Sequence, residues 1–198
     1  MKPFSDACEE NKLPILEVLK IEFANCRNIL EIGSGTGQHA VFFASHLPYL
    51  TWQTSDLETL HPGINAWREE ADLANLNQPI SLDVTGPNWP ESVYDGVFSA
   101  NTAHIMSWLA VEKMFEGTGK ILRNGGCLCL YGPFNYNGRY TSDSNARFDQ
   151  WLKNRDPLSG LRDFDKLDAL ASRNGMEFSR DYEMPVNNRT LVWRKNDR

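Results

Sequence analysis

Positive charge is scarce in this 198-residue sequence, which carries 20 lysines and arginines against 26 aspartates and glutamates. The formal net charge is therefore -6 at pH 7. A protein that holds a nucleic-acid backbone usually presents a broad basic face, which needs an excess of cations. We predict no nucleic-acid partner.

Cysteine is also rare, with only four residues in the chain. Cys127 and Cys129 lie in an apolar run typical of a strand, where side chains two residues apart share a face but lie about 6 to 7 Å apart. No second pair of ligands follows to complete a zinc site. We predict buried free thiols, no metal site and a reducing compartment.

Long apolar runs are absent, since no stretch approaches the roughly 20 apolar residues of a membrane span. Charged residues interrupt the first 25 positions, where a secretion signal would need a basic start and an apolar centre. These absences predict a cytoplasmic protein without membrane contact. The length and the 41% apolar content suit a single domain over residues 1–198, which opens with a helical segment at 1–25.

Helix and strand patterns alternate from residue 14 to about residue 132. Pro14 suits the first turn of a helix, whose apolar stripe continues to Phe23. Five segments are predicted to be strands, at residues 28–32, 50–56, 80–84, 95–101 and 127–132. Apolar residues at helical spacing separate most of these segments. The alternation predicts an α/β fold with a Rossmann-like, doubly wound parallel sheet.

The alternation stops beyond Gly132. Residues 133–162 begin with a stretch that is too polar for core and too aromatic for a flexible linker, so we predict an insertion that covers the site. A later helix should end at Asn174 and Gly175. The sequence "PVNN" at 185–188 then predicts a hairpin connection between two final strands.

The stretch "LEIGSGTGQHA" at 30–40 predicts a ligand-binding loop after the first strand, where ligands of open α/β sheets bind. A triphosphate loop would need a lysine after its last glycine, and Gln38 stands where a dinucleotide fingerprint needs glycine. The carboxylate of Glu31 would also repel a pyrophosphate. A cofactor with a cationic end and no phosphate fits better, and S-adenosylmethionine has both properties.

Further polar residues at strand ends extend this predicted cofactor site. Asp56 can accept hydrogen bonds from a ribose diol, and Asp83 is within plausible reach of an adenine. Each is also an ordinary choice for a strand end or helix cap. The predicted cofactor contacts are Glu31, Gly33, Ser34, Gly35, Thr36, Gly37, Asp56, Leu57, Asp83, Val84 and Asn101.

The motifs "LEIGSGTG", "LDV" at 82–84 and "DGVFSAN" resemble the class I S-adenosylmethionine-dependent methyltransferases. More narrowly, "EIGSGTGQHAVFFASHLP", "FSANTAHIMSW", "LYGPFNYNGRYTSDSNARFD" and "MPVNN" resemble the methyltransferase-like domain of unknown function family 938. The resemblance implies a seven-stranded sheet with an antiparallel last strand. It implies the cofactor but no particular acceptor. This chain departs from the family at Glu10, where members commonly carry arginine.

Methyl transfer from a sulfonium requires alignment of acceptor, methyl and sulfur, and a base only if the acceptor must lose a proton. His104 follows the fourth strand and is the candidate base, with Asn101 and Tyr136 as further catalytic candidates. Each could instead be a packing or turn residue. The candidates for acceptor contacts are Tyr131, Phe134, Asn135, Arg139, Tyr140, Ser142, Arg155, Arg162, Asn187 and Asn188.

The sequence thus predicts an S-adenosylmethionine-dependent methyltransferase that acts on a small-molecule acceptor. Two alternatives stay open at this stage. One is a protein that binds the cofactor or a partner without turnover, and the other is a nicotinamide-dependent oxidoreductase. The oligomeric state cannot be predicted from the sequence.

Overall fold

The computed structural model describes residues 2–196 and contains the predicted α/β architecture. The strands are β1 (Asn28–Ile32), β2 (Thr51–Asp56), β3 (Leu76–Ser81), β4 (Tyr94–Ala100), β5 (Leu122–Gly132), β6 (Phe134–Asn135), β7 (Arg162–Asp163), β8 (Met176–Met184) and β9 (Asn188–Lys195). The helices are α1 (Asp6–Glu22), α2 (Gln38–His46), α3 (His61–Ala71), α4 (Trp108–Ile121), α5 (Asp143–Arg155) and α6 (Phe164–Arg173). Short 3-10 turns cover 58–60 and 185–187.

Seven strands form one sheet in the order β3-β2-β1-β4-β5-β9-β8. The pairs from β3 to β5 are parallel, whereas β9 runs antiparallel to both β5 and β8. This confirms the Rossmann-like seven-stranded sheet with an antiparallel last strand. The strand order reverses between β1 and β4, which is where an open α/β sheet opens a crevice for a ligand.

Helices cover both faces of the sheet. Side chains of α1 and α2 pack with Trp52 and Phe98 in one buried cluster. Side chains of α4 and α6 pack with Leu128 and Trp193 in a second cluster on the other face. Among residues 2–196, no helix has the length and apolar character needed to cross a membrane.

Predicted element boundaries differ from the structure at the third strand and at the first helix. The third strand covers 76–81 rather than 80–84, and it is an edge strand that tolerates Pro79 and exposes polar residues. Pro14 lies inside α1 rather than in its first turn, because the helix begins eight residues earlier, at Asp6. The early turns of α1 contact the first residues of α2 through polar side chains, since Gln38 Nε2 donates to Glu9 Oε1 and Asn11 Oδ1 lies 2.6 Å from His39 Nε2.

The 133–162 segment contains helix α5, which the sequence analysis did not predict. Ser142 caps this helix by accepting a hydrogen bond from the Asn145 backbone N–H at 3.1 Å. Only three residues of α5 are buried, namely Asn145, Asp149 and Leu152. A helix with so little core contact gives no clear apolar period.

Candidate functional site

A cavity of about 720 Å³ lies where the strand order reverses, at the carboxyl ends of β1 and β4. Its lining comes from stretches of chain within 5–11, 33–39, 100–105, 131–133, 144–155 and 185–188. The glycine loop and the end of β4 form its inner part. Cavities of roughly 300 to 1,000 Å³ are typical of small-molecule sites.

The glycine loop needs its glycines. Gly33, Gly35 and Gly37 have φ values of 75°, 56° and 89°, a region that residues with a Cβ rarely adopt. A Cβ on Gly37 would also lie 3.0 Å from the Ile64 Cα. The loop is fixed by the backbone N–H groups of Gly33 and Ser34, which both donate to the Ser55 carbonyl at 3.0 Å. Gly33 and Gly35 line the cavity without a Cβ, so a ligand can approach the backbone at these two positions.

Glu31 lies beneath this loop and is fully enclosed by protein. Its Oε2 accepts hydrogen bonds from Ser34 Oγ at 2.8 Å and from Trp52 Nε1 at 3.2 Å. Burial raises the pKa of Glu31 to about 7, although both hydrogen bonds act in the opposite direction. A cation arriving above the loop would favour the ionised form. Glu31 does not line the cavity, so its influence there is electrostatic.

Asp56 connects the end of β2 to the loop. Its Oδ2 accepts from the Gly35 N–H and its Oδ1 accepts from the Leu57 N–H, both at 2.8 Å. The Leu57 side chain is exposed. Asp56 and Leu57 lie beside the loop rather than in the cavity lining, so their cofactor contacts stay predictions.

Two further predicted cofactor contacts, Asp83 and Val84, lie farther along the chain, beyond β3. Asp83 accepts hydrogen bonds from the Thr85 N–H and Oγ1 at 2.9 and 2.7 Å, which lower its pKa and fix a turn. Val84 is buried, and its carbonyl accepts from Trp89 Nε1 at 3.2 Å. Neither lines the cavity, so an adenine contact at these positions stays a prediction.

Asn101 and His104 are both brought to the cavity. Asn101 has a φ of 56°, an uncommon conformation that asparagine tolerates, and its N–H donates to the Tyr131 carbonyl at 2.9 Å. His104 is only 7% exposed, and within residues 2–196 its ring nitrogens have no hydrogen-bond partner. Burial, helped by the Arg162 cation, lowers the pKa of His104 to about 4. His104 is therefore a neutral imidazole with a free acceptor nitrogen at neutral pH.

Tyr136, which the sequence predicts as a catalytic candidate, does not line the cavity. Its hydroxyl donates to Asp181 Oδ2 at 2.6 Å and its ring stacks on Phe164. Burial and Asp181 raise its pKa, so the hydroxyl keeps its proton. The chain crosses to the α6 face after Pro133, since β6 pairs with β7 there.

Several other predicted acceptor contacts have structural roles instead. Phe134 is buried in the core, and the Tyr140 hydroxyl donates to Asp149. Arg162 donates to the carbonyls of Ala103, Met106 and Leu158, which holds the segment after β4 in place. Of the predicted acceptor contacts, those that line the cavity are Tyr131, Arg155 and Asn188.

Sequence reasoning missed the contribution of α1. Cys8, Glu10 and Asn11 line the cavity, and Asn11 Oδ1 lies 2.6 Å from His39 Nε2. Gln38 accepts from the Ser5 N–H at 2.6 Å, so the side chain that breaks the dinucleotide fingerprint anchors α1 to the loop. Polar residues with no apolar period gave little signal for this contact.

The turn between β8 and β9 places a strained residue at the cavity. Val186 has φ 59° and ψ 39° and is 78% exposed, although a β-branched side chain strongly disfavours this left-handed conformation. The strain indicates that the surrounding turn, rather than Val186 itself, dictates the conformation.

Val186→Gly is expected to raise the free energy of unfolding by about 1 kcal/mol, because glycine removes the left-handed penalty. Thermal or denaturant unfolding measures this change. Val93→Gly is the matched control, since Val93 is also exposed but does not have a positive φ. The control substitution should lower the free energy of unfolding. A lower free energy of unfolding in both variants would contradict the strain inferred at Val186.

Comparison with known proteins gives a family and a fold. The family described as protein of unknown function (DUF938) matches residues 2–195. An O-methyltransferase family protein from Burkholderia thailandensis superimposes with a TM-score of 0.84 at 16% identity, covering 96% of this chain and 58% of that one. PigF with SAH gives a TM-score of 0.80 at 14% identity, with 94% and 56% covered.

Human N-acetylserotonin methyltransferase in complex with SAM gives a TM-score of 0.74 at 14% identity, covering 93% of this chain and 55% of that one. The chain thus spans a little over half the length of these proteins. At such identities the likeness shows the fold alone, which is that of class I methyltransferases. Because the family model matches nearly the whole length of the chain, the chain belongs to the DUF938 family.

Proposed function

We propose that the protein is a methyltransferase that moves a methyl group from S-adenosylmethionine to a small-molecule acceptor. The observation that carries the proposal is one cavity that joins a glycine loop, underlain by a buried carboxylate, to a neutral histidine with free nitrogens. The predicted loop and the predicted base come from distant parts of the chain. Their meeting at the strand-order reversal favours chemistry there over simple binding.

The residues present fit this cofactor. The loop from Gly33 to Gly37 lets a ligand approach the backbone closely, and Glu31 supplies negative charge beneath the loop. Asp56 offers a carboxylate beside the loop for ribose hydroxyls, with Asn101 facing the cavity. A phosphate-bearing cofactor would be repelled by Glu31, which disfavours the nicotinamide alternative.

S-adenosylmethionine supplies, when bound, a methyl group already activated by a sulfonium charge. The protein then has to orient the acceptor, and such positioning can contribute roughly 7 to 11 kcal/mol. His104 accepts the acceptor's proton on a ring nitrogen as the new bond to the methyl carbon forms. The low pKa of His104 keeps the imidazole neutral at physiological pH, so a ring nitrogen is free to accept a proton.

A small acceptor suits both the cavity and the charge. The cavity volume of about 720 Å³ suits a small molecule, and the net charge of -6 disfavours a nucleic-acid chain. The name of the human protein with this fold also states a small-molecule acceptor, N-acetylserotonin.

Calorimetric titration with S-adenosylmethionine, S-adenosylhomocysteine and NAD tests the proposal. We expect the two sulfur compounds to bind and NAD not to bind. Asp56→Ala should weaken cofactor binding about 100-fold, since losing two charge-assisted hydrogen bonds costs about 3 kcal/mol. Glu69→Ala, which removes an exposed carboxylate on α3, is the control and should leave affinity unchanged.

Other outcomes separate the alternatives. Binding of NAD in place of the sulfur compounds would overturn the proposal in favour of an oxidoreductase. Binding of the sulfur compounds without methyl transfer to any component of a cell extract would favour a non-catalytic binding protein.

A further inference from the structure

Helix α5 presents one continuous face to the cavity. Ser144, Asn145, Phe148, Trp151, Leu152 and Arg155 all line it. These positions recur at spacings of three and four residues, which places them on one side of a helix. Trp151 remains 50% exposed, although a tryptophan on a helix usually buries most of its surface.

The aromatic members of this face form a ladder that begins at His104. The rings of His104 and Phe148 meet edge to face with centroids 5.4 Å apart. The rings of Phe148 and Trp151 lie nearly parallel, 5.8 Å apart and 18° from coplanar. The ladder therefore leads from a buried base to a half-exposed indole.

Arg155 ends the ladder with a positive charge. Its guanidinium carbon lies 4.6 Å from the centre of the Trp151 ring, in the geometry of a cation–π contact. Within residues 2–196, no carboxylate lies within 4 Å of this guanidinium, and the nearby Asp149 is held by Lys153, Tyr140 and the Leu161 N–H. Glu10 also lines the cavity, but among the described residues it forms no ion pair with Arg155.

The ladder has a neutral end and a cationic end at a defined separation. Phe148 and Arg155 are seven residues apart, which corresponds to about 10 Å along a helix. Flat rings pack well against such a ladder, and a planar guanidinium pairs best with a carboxylate. The half-exposed Trp151 between the two ends offers the remaining apolar contact.

Resting on the proposed function, we propose that the methyl acceptor is a hydroxylated aromatic carboxylate that lies along α5. Its hydroxyl faces His104 and its carboxylate faces Arg155, with the ring against Phe148 and Trp151. The hydroxyl oxygen forms a bond to the methyl carbon while the carbon–sulfur bond breaks and its electron pair stays on sulfur. The hydroxyl proton passes to the imidazole of His104.

The test compares 3,4-dihydroxycinnamate with its methyl ester, which has the same ring but no anion. Calorimetry measures the affinity of each compound with and without S-adenosylhomocysteine. We expect the acid to bind at least about tenfold more tightly than the ester, since a charge-assisted pair contributes about 1.5 kcal/mol or more. Labelled S-adenosylmethionine then tests methyl transfer to the acid.

Arg155→Gln should remove the preference for the acid and leave the affinity for the ester nearly unchanged. Arg147→Gln is the matched control, because Arg147 is an exposed cation on the same helix that does not line the cavity. Trp151→Leu should lower the affinity for both compounds. This split between acid and ester would not arise if α5 were merely structural.

The outcomes for the two proposals are separate. Any of three results would overturn the assignment of the acceptor. The first is equal affinity for the acid and the ester, and the second is an equal loss of affinity for the acid in the Arg147 and Arg155 variants. The third is no binding of either compound. If S-adenosylhomocysteine binds in those cases, the proposed cofactor role stands. If the acid binds through Arg155 but no sulfur compound binds, the acceptor site stands and the methyltransferase proposal fails.

Discussion

Glu31→Gln is expected to make the cofactor-free protein more stable at pH 8 by about 3 kcal/mol. The folded protein raises the pKa of Glu31 from its usual value near 4.5 to about 7. A raised carboxyl pKa means that stability falls as pH rises from about 4.5 to 7, since the unfolded chain ionises first. Each pKa unit corresponds to about 1.4 kcal/mol. Glutamine never ionises, and its oxygen can still accept from Ser34 and Trp52.

Denaturant unfolding of both proteins at pH 4.5 and pH 8 measures this effect. The difference between the variant and the native protein should be small at pH 4.5 and fully developed at pH 8. Glu69→Gln, at an exposed position of α3, should show no such pH dependence. A Glu31 variant that is less stable than the native protein at pH 8 would contradict the expected cost of the buried charge.

The same substitution should weaken binding of S-adenosylmethionine by about tenfold or more, because the cationic ligand loses its buried counter-charge. In the native protein, binding near pH 6.5 should release a proton from Glu31, since a nearby cation lowers its pKa. Calorimetry in two buffers of different ionisation enthalpy detects that proton, and the signal should vanish in the variant.

His104→Ala is expected to lower kcat by about 100- to 10,000-fold while leaving cofactor affinity unchanged, since general base catalysis typically contributes that much. Single-turnover methyl transfer to an active acceptor measures the loss. The native rate should hold from pH 8 to 6 and fall as pH approaches 4, where His104 becomes protonated.

The control for this variant is His46→Ala. His46 lies on the exposed end of α2, with its ring hydrogen-bonded to the Phe42 carbonyl, and its loss should not affect kcat. If His104→Ala reduced kcat less than about threefold, His104 would not be the base.

Sequence patterns predicted best the elements whose side chains pack in the core. β1 and β4 are short and mostly apolar strands near the middle of the sheet, so their apolar residues indicate where the strand is buried. β3 was misplaced because an edge strand is stabilised by pairing on one side only and keeps exposed polar residues. The early turns of α1 and one face of α5 line the cavity, and an amphipathic pattern detects only faces that pack on the core.

The same reasoning explains which site residues could be predicted. The glycine loop, Asn101 and His104 follow strands whose ends meet at one edge, so topology alone brings them together. Tyr136 could not be placed, since its position depends on the local pairing of β6 with β7. Trp151 gave no signal, because its neighbours in sequence are mostly polar.

The cavity lining runs from Ser5 to Asn188, so its walls come from nearly both ends of the described chain. Contacts between such distant residues carry a large loop-closure entropy and form late in folding. No smaller fragment of the chain contains a complete site. A ligand that needs all of these walls can recognise only the finished fold, so it slows unfolding without speeding folding.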